Sequence, residues 1–337
     1  MKMNSTVKII AEVGVNHNGD MSLAADLICK AAEAGADYVK FQAFHPAHLV
    51  HQKAQKAAYQ VKNTGNTEGQ YEMLQRYSLD AAQLLQLQSL ALQQGIGFVC
   101  SVFDLYSLAA IQVLQPKIIK IPSGEIDHFP LLQAIGKLNT EVWLSTGMAT
   151  EVEIRTAIDV LLASGLQPGN LVIMHCHTQY PTPADQANLN VIQSLRHTMG
   201  LPIGYSDHTR GIVIPMIAVA LGAVLIEKHF TLDTSMPGPD HAASLTPTEF
   251  AAMVKGIREA EIAMGSSKKM VSDAELAHIP MVRKGIYAAR DIEVGEVLTE
   301  ENMICLRPVT SLPASKWFEV YNHKANQSIK AFEPIEI

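Results

Sequence analysis

The sequence predicts a (β/α)8 barrel followed by a small β-rich module, and three observations carry that prediction. Short β-branched runs alternate with amphipathic helical stretches from Lys8 to Phe230. Eight such runs are present, and the pattern changes character after a polar stretch that begins Gly265-Ser266-Ser267-Lys268-Lys269. Strands alternating with helices build a parallel sheet from βα units, and eight of them close into a barrel.

The eight runs are Lys8–Val13, Tyr38–Gln42, Gly97–Val102, Ile118–Ile121, Val142–Ser145, Leu171–Cys176, Pro202–Tyr205 and Ala223–His229. Between them, stretches such as Ser22–Ala34 and Glu151–Ala163 carry apolar residues at three- and four-residue spacing, the period of a helix with one buried face. Gly35, Gly95 and Gly165 stand where left-handed helix caps are needed. One connection, Ala43–Glu72, is far longer than a barrel loop requires. Long loops of this kind are functional, and this one leaves the strand ends where barrels keep their active sites. The boundaries that follow are a barrel over 1–264, a linker over 265–282 and the β-rich module over 283–337.

The chain has 337 residues, 48% hydrophobic and 18% charged, enough to bury a large core. A net charge of −7 excludes a broadly basic surface for nucleic acid or anionic membrane. An anionic substrate therefore needs a local pocket of lysine and arginine. No apolar run reaches membrane-spanning length and the polar start lacks a signal-peptide core, so a cytoplasmic enzyme is expected. Cys29, Cys100, Cys176 and Cys305 are scattered, which argues against a disulfide framework or a structural zinc site.

Polar residues at the ends of barrel strands are the natural candidates for chemistry. Strand one carries Glu12 within an apolar run and is followed by a glycine- and amide-rich turn. Period-two geometry puts Lys40 and Gln42 on one face of strand two. Ser101, Lys120, Ser123, Glu125 and Ser145 follow at the ends of strands three, four and five, and Ser206 at the end of strand seven. Two lysines and several small donors around one rim suit a phosphate and a carboxylate on one small ligand, and phosphoenolpyruvate has both. Strands seven and eight are neighbours, so His208 and His229 meet, with Glu227 on the inward face beside His229 and Lys228 pointing away. Two imidazoles with carboxylate or water oxygens suit Mn or another borderline divalent ion, Mg and Co being alternatives. Tyr180 lies among prolines after strand six and Asp240 in a stiff Pro-Gly-Pro loop, both near the mouth.

These motifs, Lys-Ile-Pro-Ser-Gly-Glu from Lys120 and Glu-Lys-His-Phe-Thr-Leu-Asp from Glu227 above all, resemble the N-acetylneuraminate synthase family, which includes legionaminic and pseudaminic acid synthases. The tail resembles the antifreeze-like (SAF) module of those enzymes. The resemblance implies that Lys40, Ser101, Lys120, Ser123, Ser145 and Ser206 hold phosphoenolpyruvate and that His208 and His229 ligate the metal. Glu12, Gln42, Asn66, Glu125, Tyr180 and Asp240 would line the amino-sugar site. Arg307 matches the arginine that the family's tail module sends into the other subunit's site in a domain-swapped homodimer. The chain departs from the family pattern at Leu306, where Lys is common, and at Gln179, where Glu is frequent.

The expected reaction condenses phosphoenolpyruvate with N-acetylmannosamine, making the chain an N-acetylneuraminate synthase. N,N'-diacetyllegionaminate or pseudaminate synthesis is the alternative within the family. In this reading C3 of phosphoenolpyruvate attacks the sugar aldehyde, water adds at C2 and phosphate leaves by C–O cleavage. Lys40 and Lys120 stabilise phosphate and carboxylate charge, and Glu12 and Glu125 position the sugar or move protons. A pyruvate-using metal aldolase and a non-catalytic sugar-binding protein are the competing readings.

Overall fold

The computed structural model describes residues 6–56, 60–61 and 68–336. Eight parallel strands close in chain order: β1 (Lys8–Gly14), β2 (Tyr38–Ala43), β3 (Gly97–Val102), β4 (Ile118–Ile121), β5 (Glu141–Ser145), β6 (Leu171–Cys176), β7 (Ile203–Asp207) and β8 (Leu225–His229). Closure pairs Lys8 with Leu225 and Glu12 with His229. The (β/α)8 fold read from the sequence is therefore present. The strand bounds shift by one residue in β1, β2 and β5 and by more in the last two: β7 runs on through Ser206 and Asp207, and β8 begins two residues later than expected. Ser206 and Asp207 look like turn residues in sequence, yet both are buried in the ladder and hydrogen-bonded there.

Alternation along the strands sorts the barrel into layers. Outward residues such as Ile9, Ala11, Val13, Val39 and Phe41 are fully buried in the main core under the helices. Inward residues Ile10, Val99, Ile118, Trp143, Met174 and Leu225 form an apolar plug. At one end of this plug Lys8 bonds Glu141 at 2.7 Å, and Trp143 Nε1 donates to the same carboxylate. One inward step from the plug toward the strand ends, the residues turn polar: Glu12, Lys40, Ser101, Lys120, Ser145, Ser206 and Glu227. The plug is thus the floor on which a site is built.

The helices begin where the sequence supplies caps. Asp20 accepts from Ser22 N, and Thr150 with Glu153 and Thr246 with Glu249 form reciprocal capping boxes. The long connection after β2 holds a short helix, Pro46–Leu49, and then the helix Gln70–Tyr77, whose Met73, Leu74 and Tyr77 are buried. Among the described residues no helix is long and apolar enough to cross a membrane.

The chain divides into two compact units, Met1–Gly265 and Ser266–Ile337. The second pairs β9 (Gly285–Ala288) antiparallel with β10 (Met303–Leu306). Its own small core contains Ile286, Ile292, Leu298, Met303, Val320, Ile329 and Ile335. The stretch read as a linker, 265–282, contains regular structure. Asp273–Val282 is a helix, opened by a Ser272 and Glu275 capping box, and it buries none of its residues. Without an apolar face it carries no periodic signal, which is why the stretch reads as linker.

Candidate active site

Above the plug lies a cavity of about 360 Å³ lined from all eight strand ends or the loops that follow them. Its floor is a network of four buried charges. Glu227 sits at the centre: its carboxylate lies 3.1 Å from Lys40 Nζ and 3.2 Å from Lys120 Nζ, and accepts from Ser206 Oγ at 2.8 Å. Lys40 also bonds Ser101 Oγ at 3.0 Å and stands 3.2 Å from Glu12 Oε2. Gln42 Nε2 donates to the other Glu12 oxygen at 3.2 Å. Two ammonium groups and two carboxylates balance, so the charges tolerate burial as a set.

Burial and charge pull each group in a definite direction. Burial works against ionised Glu227, but the flanking Lys120 and Lys40 hold its pKa far below the usual carboxylate range. Burial raises that of Glu12, with Glu227 adding to the effect and Lys40 opposing it. Burial works against the charge on Lys40, yet Glu12 and Glu227 outweigh it and raise its pKa. Burial lowers that of Lys120. Ser145 Oγ is buried without any partner. A buried hydroxyl with nothing to bond is expected where a ligand completes the site.

Gly14 explains how the floor stays open. The β1–β2 register shifts between Glu12 and Gly14, and Gly14 has φ +56°. A Cβ there would stand 3.1 Å from Glu12 Oε1 and 3.3 Å from Gln42 Nε2, besides being strained. At the opposite side, the Gly147 backbone N–H donates to Ser123 Oγ at 2.9 Å, and Ser123 contacts Cys176 Sγ at 3.1 Å.

His208 and His229 come together as expected, their ring centroids 5.5 Å apart, with the Tyr180 ring tilted by 36° at 4.1 Å from that of His208. His208 Nδ1 meets the His177 carbonyl at 2.5 Å, which makes Nδ1 the protonated nitrogen and leaves the Nε2 lone pair free. Burial lowers the His208 pKa to about 4 and holds that of His229 well below its ordinary value, so both imidazoles are neutral, and His229 Nδ1 is buried without a partner. Neutral rings with an open nitrogen fit a divalent ion. Among the described residues no group of three or more His, Cys, Asp and Glu side chains is placed to hold one.

Asp240 lines the cavity, and burial, aided by the Glu12 charge, raises its pKa to about 7. Glu125 departs from expectation. A 3-10 turn over Ser123–Glu125 follows β4 and sets its carboxylate 2.7 Å from His128 Nδ1, and it is not among the side chains lining the cavity. Asn66 lies outside the described residues, and Arg307 is exposed directly after β10 in the second unit. Exposed Gln179 does not line the cavity.

Sequence reasoning noticed that Glu227 faces inward but did not place it in the site, where it is the central counter-ion. An acid one strand from a lysine-bearing rim was the available signal. It also missed the opposite wall, where Val15, Phe44, Leu49, Val50, Met73, Leu74 and Phe103 line the cavity. Apolar residues in a loop and an amphipathic helix look like ordinary core.

The chain that builds this arrangement of two lysines, an unpaired serine and a histidine pair matches known proteins over most of its length. Residues 27–269 match the NeuB family and residues 283–336 the SAF domain. The chain belongs to the NeuB family. It is 46% identical to the N,N'-diacetyllegionaminic acid synthase of Campylobacter jejuni, over 97% of this chain and 98% of that one. It is 42% identical to the Legionella pneumophila enzyme of the same name, over 97% and 92%. Among solved structures, the N-acetylneuraminic acid synthetase of Leptospira borgpetersenii superposes with a TM-score of 0.72 at 33% identity, covering 82% of this chain and 91% of that one. This NeuB family member is accordingly a biosynthetic enzyme of the sialic acid synthase type.

Proposed function

We propose that the protein condenses phosphoenolpyruvate with a diacetamido-trideoxyhexose to give N,N'-diacetyllegionaminate. Two relatives bearing that product's name are 46% and 42% identical to this chain, against 33% for the neuraminic acid synthetase. That difference favours the legionaminate alternative over the N-acetylmannosamine reading drawn from sequence. The observation that carries the reaction is the floor itself: Lys40 and Lys120 beside the unpartnered Ser145.

Phosphoenolpyruvate exchanges its phosphate and carboxylate for Glu227 as partner of the two lysines, with Ser101, Ser123, Ser145 and Ser206 supplying hydroxyl donors. His208 and His229 would hold the divalent ion, Mn in preference, which when bound polarises the sugar aldehyde as a Lewis acid. The enol C3 then bonds to the aldehyde carbon, whose oxygen takes up a proton. Asp240, whose pKa is raised to about 7, is the nearby carboxyl suited to hold one at neutral pH. Water adds at C2, and the C–O bond breaks to release phosphate and leave the 2-keto acid. Glu125, turned toward His128, is a weaker candidate for proton transfer than Asp240. Through the family resemblance, Arg307 of one subunit completes the sugar site of another in a dimer. Phosphate release and keto-acid formation from these two substrates test the proposal, and no turnover with any acetamido sugar would sink it.

A further inference from the structure

We infer that the apolar wall of Val15, Phe44, Met73, Leu74 and Phe103 is the specificity element for the sugar's far end, where it takes the C6 methyl of a 6-deoxy sugar and disfavours a C6 hydroxyl. This rests on the reading of the cavity as an amino-sugar condensation site and deepens it. The order of residues along β2 gives the direction. Lys40 is in the charged floor, Gln42 bonds Glu12 one inward step higher, and Phe44 follows two residues later at the rim. Successive same-face residues on a strand stand about 7 Å apart, so the wall begins more than one sugar carbon–carbon bond above the lysines.

The reacting aldehyde carbon must lie at the floor, beside the enol held by Lys40 and Lys120. An open-chain hexose anchored there carries its far carbons toward the rim. A trideoxyhexose with two acetamido groups has one carbon whose hydroxyl is simply missing, and at the chain end that carbon is a methyl. The wall offers such a methyl a dry surface. Val15, Phe44, Met73 and Leu74 are buried and packed in one cluster with Tyr77, and the Phe44 ring meets Phe103 edge-to-face at 5.9 Å. The polar lining on this side is Gln60, Gln70 and Tyr77, and amide side chains match the N–H and C=O of an acetamido group. A hydroxyl against the wall itself would leave water without a replacement partner.

The test compares kcat/KM for 2-acetamido-2-deoxymannose and its 6-deoxy analogue, with saturating phosphoenolpyruvate, in the wild-type chain and in Phe44→His and Phe44→Leu. The wild type is expected to favour the 6-deoxy sugar by roughly 10- to 100-fold, the range in which an apolar pocket separates a methyl from a hydroxyl. Phe44→His should bring the ratio toward one, while Phe44→Leu keeps it. Equal use of both sugars by the wild type would overturn the inference even if Phe44→His fails to fold. So would an active Phe44→His with the preference intact. Absence of phosphate release with these sugars and with a diacetamido-trideoxyhexose would instead refute the reaction, and the inference with it.

Discussion

Asp240 shows how a single buried carboxyl links the site to stability. Its folded pKa of about 7 lies above the ordinary 3.8, so between these values the folded chain holds a proton that the unfolded chain has lost. Its contribution to stability therefore falls as pH rises through that window, by about 1 kcal/mol per pH unit. The neutral histidines His17, His208 and His241, each held near 4 by burial, act in the opposite sense between pH 4 and 6.5. The informative quantity is thus the difference between Asp240→Asn and wild type. Metal-free Asp240→Asn should unfold at a temperature closer to wild type at pH 4.5 and clearly above it at pH 8, as followed by circular dichroism. A difference that does not change with pH would contradict the assigned pKa. The histidine pair makes its own prediction: Mn²⁺ titration followed by electron paramagnetic resonance should show binding to the wild type and at least tenfold weaker binding to His229→Ala, since a two-residue ligand set halves on losing one member. Glu12, Lys40 and Lys120 were legible as site residues because a charged group on an apolar barrel strand has no packing reason to be there. Glu125 does not line the cavity, for a local reason. The strand ends at Ile121, and the 3-10 turn after it sets the carboxylate beside His128, a local contact that the family resemblance behind its sugar-site role does not foresee.

Between β7 and β8, the residues next to the two histidines are as important as the histidines. Lys228 Nζ meets Asp207 Oδ2 at 2.5 Å and also bonds the Thr209 carbonyl, with both charged side chains fully buried on the helix side of the barrel. Asp207 also accepts from Thr209 N at 2.9 Å and Tyr205 Oη at 3.2 Å. The ladder sets Asp207 opposite Lys228, so this pair pins the register that brings His208 beside His229. Lys228→Met strands a buried carboxylate and should cost about 3–5 kcal/mol in urea unfolding. The double change Asp207→Asn with Lys228→Met should cost less than the lysine change alone, and a fully additive result would show that the pair is not coupled. Strand positions were readable because alternation in a barrel has one buried face inward and one outward, both with sequence consequences. The long connection between β2 and the helix Gln70–Tyr77 was readable only as a functional loop. It lines the cavity with Phe44, Leu49 and Val50 beside Gln60, and nothing in the order of Phe44, Met73 and Leu74 distinguishes a ligand wall from core.

At the scale of the whole molecule, the NeuB and SAF matches cover two units with separate cores. The proposed exchange of Arg307 between subunits gives a test that needs no structure of the dimer. Lys120→Ala and Arg307→Ala chains, each inactive alone, should regain activity when unfolded together and refolded at equal amounts. Random pairing makes half the dimers mixed, each with one intact site, so about a quarter of wild-type activity is expected. No recovery would place Arg307 in the site of its own chain, and an active Arg307→Ala chain would place it outside any site. The central claim, condensation with C–O cleavage at the lysine-lined floor, is tested most directly by supplying phosphoenolpyruvate labelled with ¹⁸O at the bridging oxygen together with the diacetamido-trideoxyhexose and Mn²⁺. Equal amounts of a nine-carbon 2-keto acid and phosphate carrying the label are predicted. Unlabelled phosphate, or a keto acid formed without phosphate release, would contradict the account.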